Sequence, residues 1–174
     1  MRTKPLYILI GAFLFCYAIT SNAQSASNSN NIEQIISSSY YKKDGKMRHV
    51  NMDALRDFIK RFPLATDIKW EVAKGDNIAT FTIGYKEIMA AYKKNGNWAY
   101  TISRYNNEKM LPAEVRALVK RTYYDYTISH IDEIKVCEQE NIIYLVLIQD
   151  DKNIKTIRVC DGELEVIHEL VEDN

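Results

Sequence analysis

Residues 67–103 read DIKWEVAKGDNIATFTIGYKEIMAAYKKNGNWAYTIS, four short runs separated by glycine turns. Asp67 to Val72 alternates polar and apolar with period two, as a half-buried strand should. Gly75-Asp76 turns the chain into Ile78–Ile83, where Ala79, Phe81 and Ile83 share a face. Gly84-Tyr85 suits a two-residue hairpin with glycine first. Lys86 to Tyr92 forms a third strand, Lys94-Asn95-Gly96 turns again, and Asn97 to Ser103 forms a fourth with Trp98, Tyr100 and Ile102 alternating. Just upstream, Leu55, Phe58, Ile59 and Phe62 follow i, i+3, i+4, i+7, the apolar face of a helix. Asn51 or Asp53 can cap that helix and Pro63 ends it.

Downstream the pattern recurs. Leu111-Pro112 opens a second helix with apolar face Val115, Leu118 and Val119, matching Leu55, Phe58 and Ile59 at an offset of 60. Strands follow at about Ile128–Cys137, Ile142–Gln149, Ile154–Cys160 and Leu164–Leu170, and Gly162 takes the place of Gly96. The expected fold class is α+β: a tandem repeat of one helix plus a four-stranded antiparallel meander, over 51–105 and 106–174. A unit of about 55 residues is marginal alone and buries only one sheet face. Ile142 to Ile148 (IIYLVLI) is apolar on both faces, which predicts a central strand covered on both sides and one cooperative domain.

The N-terminus carries a different message. Arg2 and Lys4 precede an apolar run, Leu6 to Thr20, and Ser21-Asn22-Ala23 supplies small residues for cleavage, the layout of a secretory signal peptide over 1–23. About 15 apolar residues are short for a membrane anchor. Phe15 before Cys16 disfavours a lipoprotein signal. Residues 24–50 read as a polar tether with a short helix around Ile32, Ile35, Ile36 and Tyr40, and Lys42 to Lys46 as loop. The expected location is periplasmic or secreted, with no membrane span after cleavage. Removal of 1–23 leaves 21 basic against 23 acidic residues, and no Lys/Arg stripe, so a nucleic-acid partner is disfavoured.

Export makes the cysteines informative. Cys137 and Cys160 end alternate strands of one meander, opposite the apolar sets Ile134/Val136 and Ile157/Val159, and so are expected at one end of one face. Second-neighbour strands lie nearly 10 Å apart, beyond the ~7 Å reach of a disulfide, so two free thiols are favoured. His49, His130 and His168 are scattered without metal-ligand spacing, and no metal or cofactor is expected. There is no nucleophile elbow or phosphate loop, and the paired acids sit at hairpin tips; the chain does not read as an enzyme. Aromatic residues are abundant instead. Tyr85, Tyr92, Trp98 and Tyr100 cluster around the last hairpin of the first unit and are the candidate binding residues, with core packing the competing role.

Phe62-Pro63, Asp67-Ile68-Lys69-Trp70-Glu71, Gly84-Tyr85-Lys86-Glu87, Asn95-Gly96-Asn97-Trp98 and Leu111-Pro112 followed by Val115 resemble the PepSY-like, or β-lactamase-inhibitor-like, family of exported bacterial proteins. The resemblance covers about residues 50 to 170 and implies tandem helix-plus-sheet repeats in a periplasmic or secreted setting. Tyr123-Tyr124 stands where a Tyr-Pro pair is usual, and Ile134 where the first unit has Trp70. The function expected is an exported, non-catalytic module that recognises a protein or peptide through a sheet face. Its rivals are an inhibitor of a protease or β-lactamase, and a small cysteine-dependent hydrolase.

Overall fold

The computed structural model describes residues 33–43 and 46–171. Residues 1–23, read above as a signal peptide, lie outside them, as do 24–32 and 44–45 of the expected tether. Residues 33–38 are helical (α1), and Ile35 is buried in the first core. Strands β1 (Tyr40–Lys43) and β2 (Lys46–His49) pair antiparallel where the sequence suggested a loop; a hairpin this short carries little periodicity to read.

Then come α2 (Met52–Arg61), β3 (Thr66–Ala73), β4 (Asp76–Ile83), β5 (Lys86–Tyr92) and β6 (Trp98–Tyr105). A 3₁₀ turn at Glu108–Met110 leads into α3 (Ala113–Thr122), followed by β7 (Thr127–Val136), β8 (Ile143–Gln149), β9 (Asn153–Cys160) and β10 (Glu163–Val171). The protein is α+β, and β3 to β10 form one eight-stranded antiparallel sheet in simple meander order. β6 pairs directly with β7, from Tyr100 opposite Val136 to Tyr105 opposite Ile131.

The turns follow from residue chemistry. Lys74-Gly75 and Asp161-Gly162 each place both central residues at positive φ, as tight hairpins that match strand twist require. Gly96 is constrained twice over. Its φ is +90°, and a Cβ there would lie 2.5 Å from Asn51 Oδ1 and 2.8 Å from Asp53 Cβ. Asn51 Oδ1 caps α2 by accepting from the Asp53 and Ala54 amides, while its side-chain amide donates to the Lys94 carbonyl at 3.1 Å. The start of α2 and the β5–β6 turn are therefore locked together.

One face of the sheet is covered by the helices, in two clusters. Phe58 of α2 meets Trp70, Phe81 and Phe62 at ring-centroid distances of 5.1, 4.9 and 5.3 Å, with Ala79, Ala90 and Tyr92 around them. Val115 and Val119 of α3 pack on Ile131, Val146, Ile148, Ile157 and Val159. The two helices end alike: Phe62 (φ −126°, ψ 60°) and Tyr123 (φ −127°, ψ 62°) each donate their amide to the carbonyl four residues back. Those ends, and the buried pairs Ala54/Phe58 and Val115/Val119, correspond at an offset of 61, one more than the spacing of the apolar faces suggested.

Bulges change which residues share a face. In β7, Ile128 pairs with Ile148 and His130 with Leu147, so Ser129 is extra. Beyond it Ile131 is buried, and Ile134 and Val136 turn away from the helices. In β6, Trp98 pairs with Tyr92 and Tyr100 with Ala91, so Ala99 is extra. The expected Trp98–Tyr100–Ile102 face is split at that residue.

Candidate functional site: the open face of the sheet

The face away from the helices is built in rows by the strand register. One row runs Lys69, Thr80, Met89, Ile102, Ile134 and Ile143 across β3 to β8. The next, one pleat nearer the β5–β6 turn, holds Glu71, Ile78, Ala91, Tyr100 and Val136. Met89, Ile102, Ile134, Ile143, Tyr100 and Val136 are all half-buried, each shielded by its neighbours in the row while its outer surface stays open. On β8, Tyr144, Val146 and Ile148 are buried, whereas Ile143, Leu145 and Leu147 are only half-buried. The double coverage expected for this strand is therefore wrong. Its second apolar face belongs to the open side.

A charged row bounds the apolar ones: Glu87, Arg104 and Asp132 on adjacent strands, then Leu145, Arg158 and Glu165. Arg104 grips Asp132 with Nε and Nη2 at 3.0 and 3.4 Å, a forked pair whose hydrogen bond and charge raise the guanidinium pKa. His130 Nε2 lies 3.3 Å from the same carboxylate. Behind this row, Glu133 on the helix side accepts from Lys135 and Lys86 at 3.0 and 3.4 Å. Burial pushes its carboxyl up, but the two lysines outweigh that and hold it below its ordinary value. Burial raises the nearby Tyr105 hydroxyl, and the Glu133 charge adds to it.

The four expected binding residues are scattered. Tyr92 is fully buried beside Trp70 and is core; burial, with Asp57 nearby, raises its hydroxyl pKa. Trp98 also faces the helices, with the Arg61 guanidinium 4.4 Å above its ring and its Nε1 donating to Thr101 Oγ1 at 2.9 Å. Only Tyr100 lies on the open face. Tyr85, 96% exposed, stands at the tip of the β4–β5 hairpin. The residues sequence reasoning passed over are Met89, Ile102, Ile134 and Ile143. The signal is the two-faced apolar run of β8, whose second face is open rather than covered within the described chain.

Cys137 and Cys160 are free. β8 separates their strands, but the shared-face argument for them fails: Ile157 and Val159 are buried under α3, whereas the Ser129 bulge puts Ile134 and Val136 on the open side. Neither thiol meets a histidine among the described residues. His49 instead bonds Ser39 and Val50, and His168 lies opposite Thr156. No group of three or more potential metal ligands occurs among the described residues.

By sequence, no protein-family model and no curated protein matches the chain. By structure it shares its fold with a BLIP-like protein from Bacteroides fragilis NCTC 9343, at a TM-score of 0.59 and 20% identity over 73% of this chain and 89% of that one. A DUF2874 family protein from Bacteroides ovatus ATCC 8483 matches at a TM-score of 0.59 and 13% identity, covering 71% of this chain and 89% of that one. A protein from Bacteroides eggerthii DSM 20697, described as periplasmic, matches at 0.57 and 15% identity, covering 71% and 90%. The fold is thus the BLIP-like one.

Proposed function

We propose that this protein is an exported, non-catalytic docking module that binds another protein through the open face of its sheet. The observation that carries this reading is the row Met89, Ile102, Ile134 and Ile143 together with Tyr100 and Val136, contiguous apolar side chains that no element of the described chain covers. Contiguous apolar surface rimmed by polar groups marks an interaction site, and the Glu87–Arg104–Asp132 row supplies such a rim. The two helix-plus-four-strand halves are versions of one unit, a reading supported by their matching helix ends and element order. Export is supported by the N-terminal sequence and by the fold shared with a protein described as periplasmic. No helix of the described residues is long and apolar enough to cross a membrane.

Affinity capture from the native cell envelope tests the proposal. Baits are the wild type, Ile134→Glu on the open face, and Asp53→Ala on the exposed side of α2. A protein partner retained by wild type and Asp53→Ala but lost with Ile134→Glu is the expected result. Retention by all three baits places the contact elsewhere. An inhibitor of a hydrolase would use the same face, and the identity of the captured protein separates that reading from a structural partner.

A further inference from the structure

A groove along β5 and β6 narrows the chemistry of the partner. A hollow of about 340 Å³ at the hairpin end, touching Thr82, Tyr85 and Glu87, adjoins one of about 250 Å³ further down, touching Glu87, Met89 and Ile102. Glu87 and Arg104 line both, so the two form one trough running along the strands. Its floor is apolar at Met89 and Ile102 and charged one pleat away at Glu87 and Arg104.

The two charges are not equivalent. Arg104 is forked onto Asp132, which leaves its charge already matched. Glu87 is exposed, accepts no hydrogen bond and makes no close ion pair among the described residues; its one evident influence is to raise the Arg104 pKa from across the strand pair. The Lys86 ammonium, which also touches the hairpin-end hollow, turns to the helix side of the sheet, over the Tyr105 ring and onto Glu133, which it shares with Lys135. On the open-face floor itself, Glu87 and Asp132 flank the single Arg104 cation, so the charge left unmatched there is negative. Successive same-face positions of an extended chain are about 6.6–6.8 Å apart, which is also the spacing of the two levels of the trough.

Resting on the open-face reading, we infer that the trough takes an extended segment of the partner that carries an apolar side chain and, two residues away, a lysine or arginine. The apolar group covers Met89 and Ile102, and the cation meets Glu87.

Two peptides test this by amide chemical-shift mapping on the labelled mature protein: acetyl-TLTLTKT-amide and acetyl-TLTLTET-amide. The lysine peptide is expected to shift resonances of residues 87–89 and 102–104. Its affinity is expected to fall about two- to fivefold in Glu87→Gln, the range of an exposed ion pair, and also with added salt. The glutamate peptide is expected to bind more weakly than the lysine one. Equal shifts from both peptides, or an unchanged affinity in Glu87→Gln, overturn the charge preference while leaving the apolar face in place. No shift on the open face with either peptide overturns the extended-segment inference, while the envelope capture with Ile134→Glu decides separately whether the face binds a folded partner.

Discussion

Trp98 and Tyr100, two residues apart in β6, lie on opposite faces of the sheet because Ala99 bulges out of the pairing with β5. Trp98 closes the first core under Arg61, whereas Tyr100 joins Val136 on the open side. If the open face is the docking surface proposed above, the two aromatics separate stability from recognition. Trp98→Ala is expected to destabilise by about 3 kcal/mol, the low end for a large aromatic because the ring is only half-buried. Tyr100→Ala is expected to cost under about 1 kcal/mol while weakening partner capture. Urea titrations of both variants check the pair.

The lock between the start of α2 and the β5–β6 turn predicts that two similar glycines behave differently. Gly162→Ala meets nothing within 4 Å and carries only the left-handed backbone cost, about 1–2 kcal/mol. Gly96→Ala carries that cost and also drives a methyl into Asn51 and Asp53, adding about 1 kcal/mol for a disturbed cap. Thermal melts are expected to place Gly96→Ala well below Gly162→Ala.

One continuous sheet over two core clusters predicts a single unfolding transition. Both tryptophans, Trp70 and Trp98, lie in the first half, so their fluorescence reports that half while far-UV circular dichroism reports the whole. The two probes are expected to coincide. Phe58→Ala, expected to cost about 3–5 kcal/mol, should shift both curves together. Fluorescence melting ahead of circular dichroism would show the halves to be independent.

Asp150 gives a pH dependence. Its carboxylate accepts from the Lys152 amide, and from the Asn153 side chain and amide, which lowers its pKa from 3.8 to about 2. A carboxyl depressed in the folded state stabilises the fold above its unfolded pKa and stops doing so as pH falls through the folded one. Wild type is therefore expected to melt above Asp150→Asn at pH 5 to 7. The gap should shrink as pH falls from 4 to 2.

Much of the architecture is legible in the sequence, and the failures have local causes. Leu55 with Phe58, Val115 with Val119, and the glycine turns announce helices and hairpins because periodicity and positive φ are local properties. Three features are not local. The bulges at Ala99 and Ser129 leave no residue that stands out, yet each reverses the alternation beyond it, so strict alternation puts Trp98 on the face of Tyr100 and Ile134 on that of Ile157 and Val159. Tyr92 looks like any strand tyrosine until Trp70 is seen beside it. And Ile143, Leu145 and Leu147 say only that this face avoids water. Whether the cover comes from the same chain or another is decided by how many helices there are to supply it, and α2 and α3 both sit on the other side.

Site-specific photo-cross-linking in the native envelope tests the docking account most directly, with a benzoylphenylalanine replacing Ile134 or Ile143 on the open face, or Arg56 on the exposed side of α2. A discrete adduct of one mass shared by positions 134 and 143 and missing at 56 is the expected result. Adducts at 56 alone, or none at 134 and 143 in protein that folds normally, would contradict it.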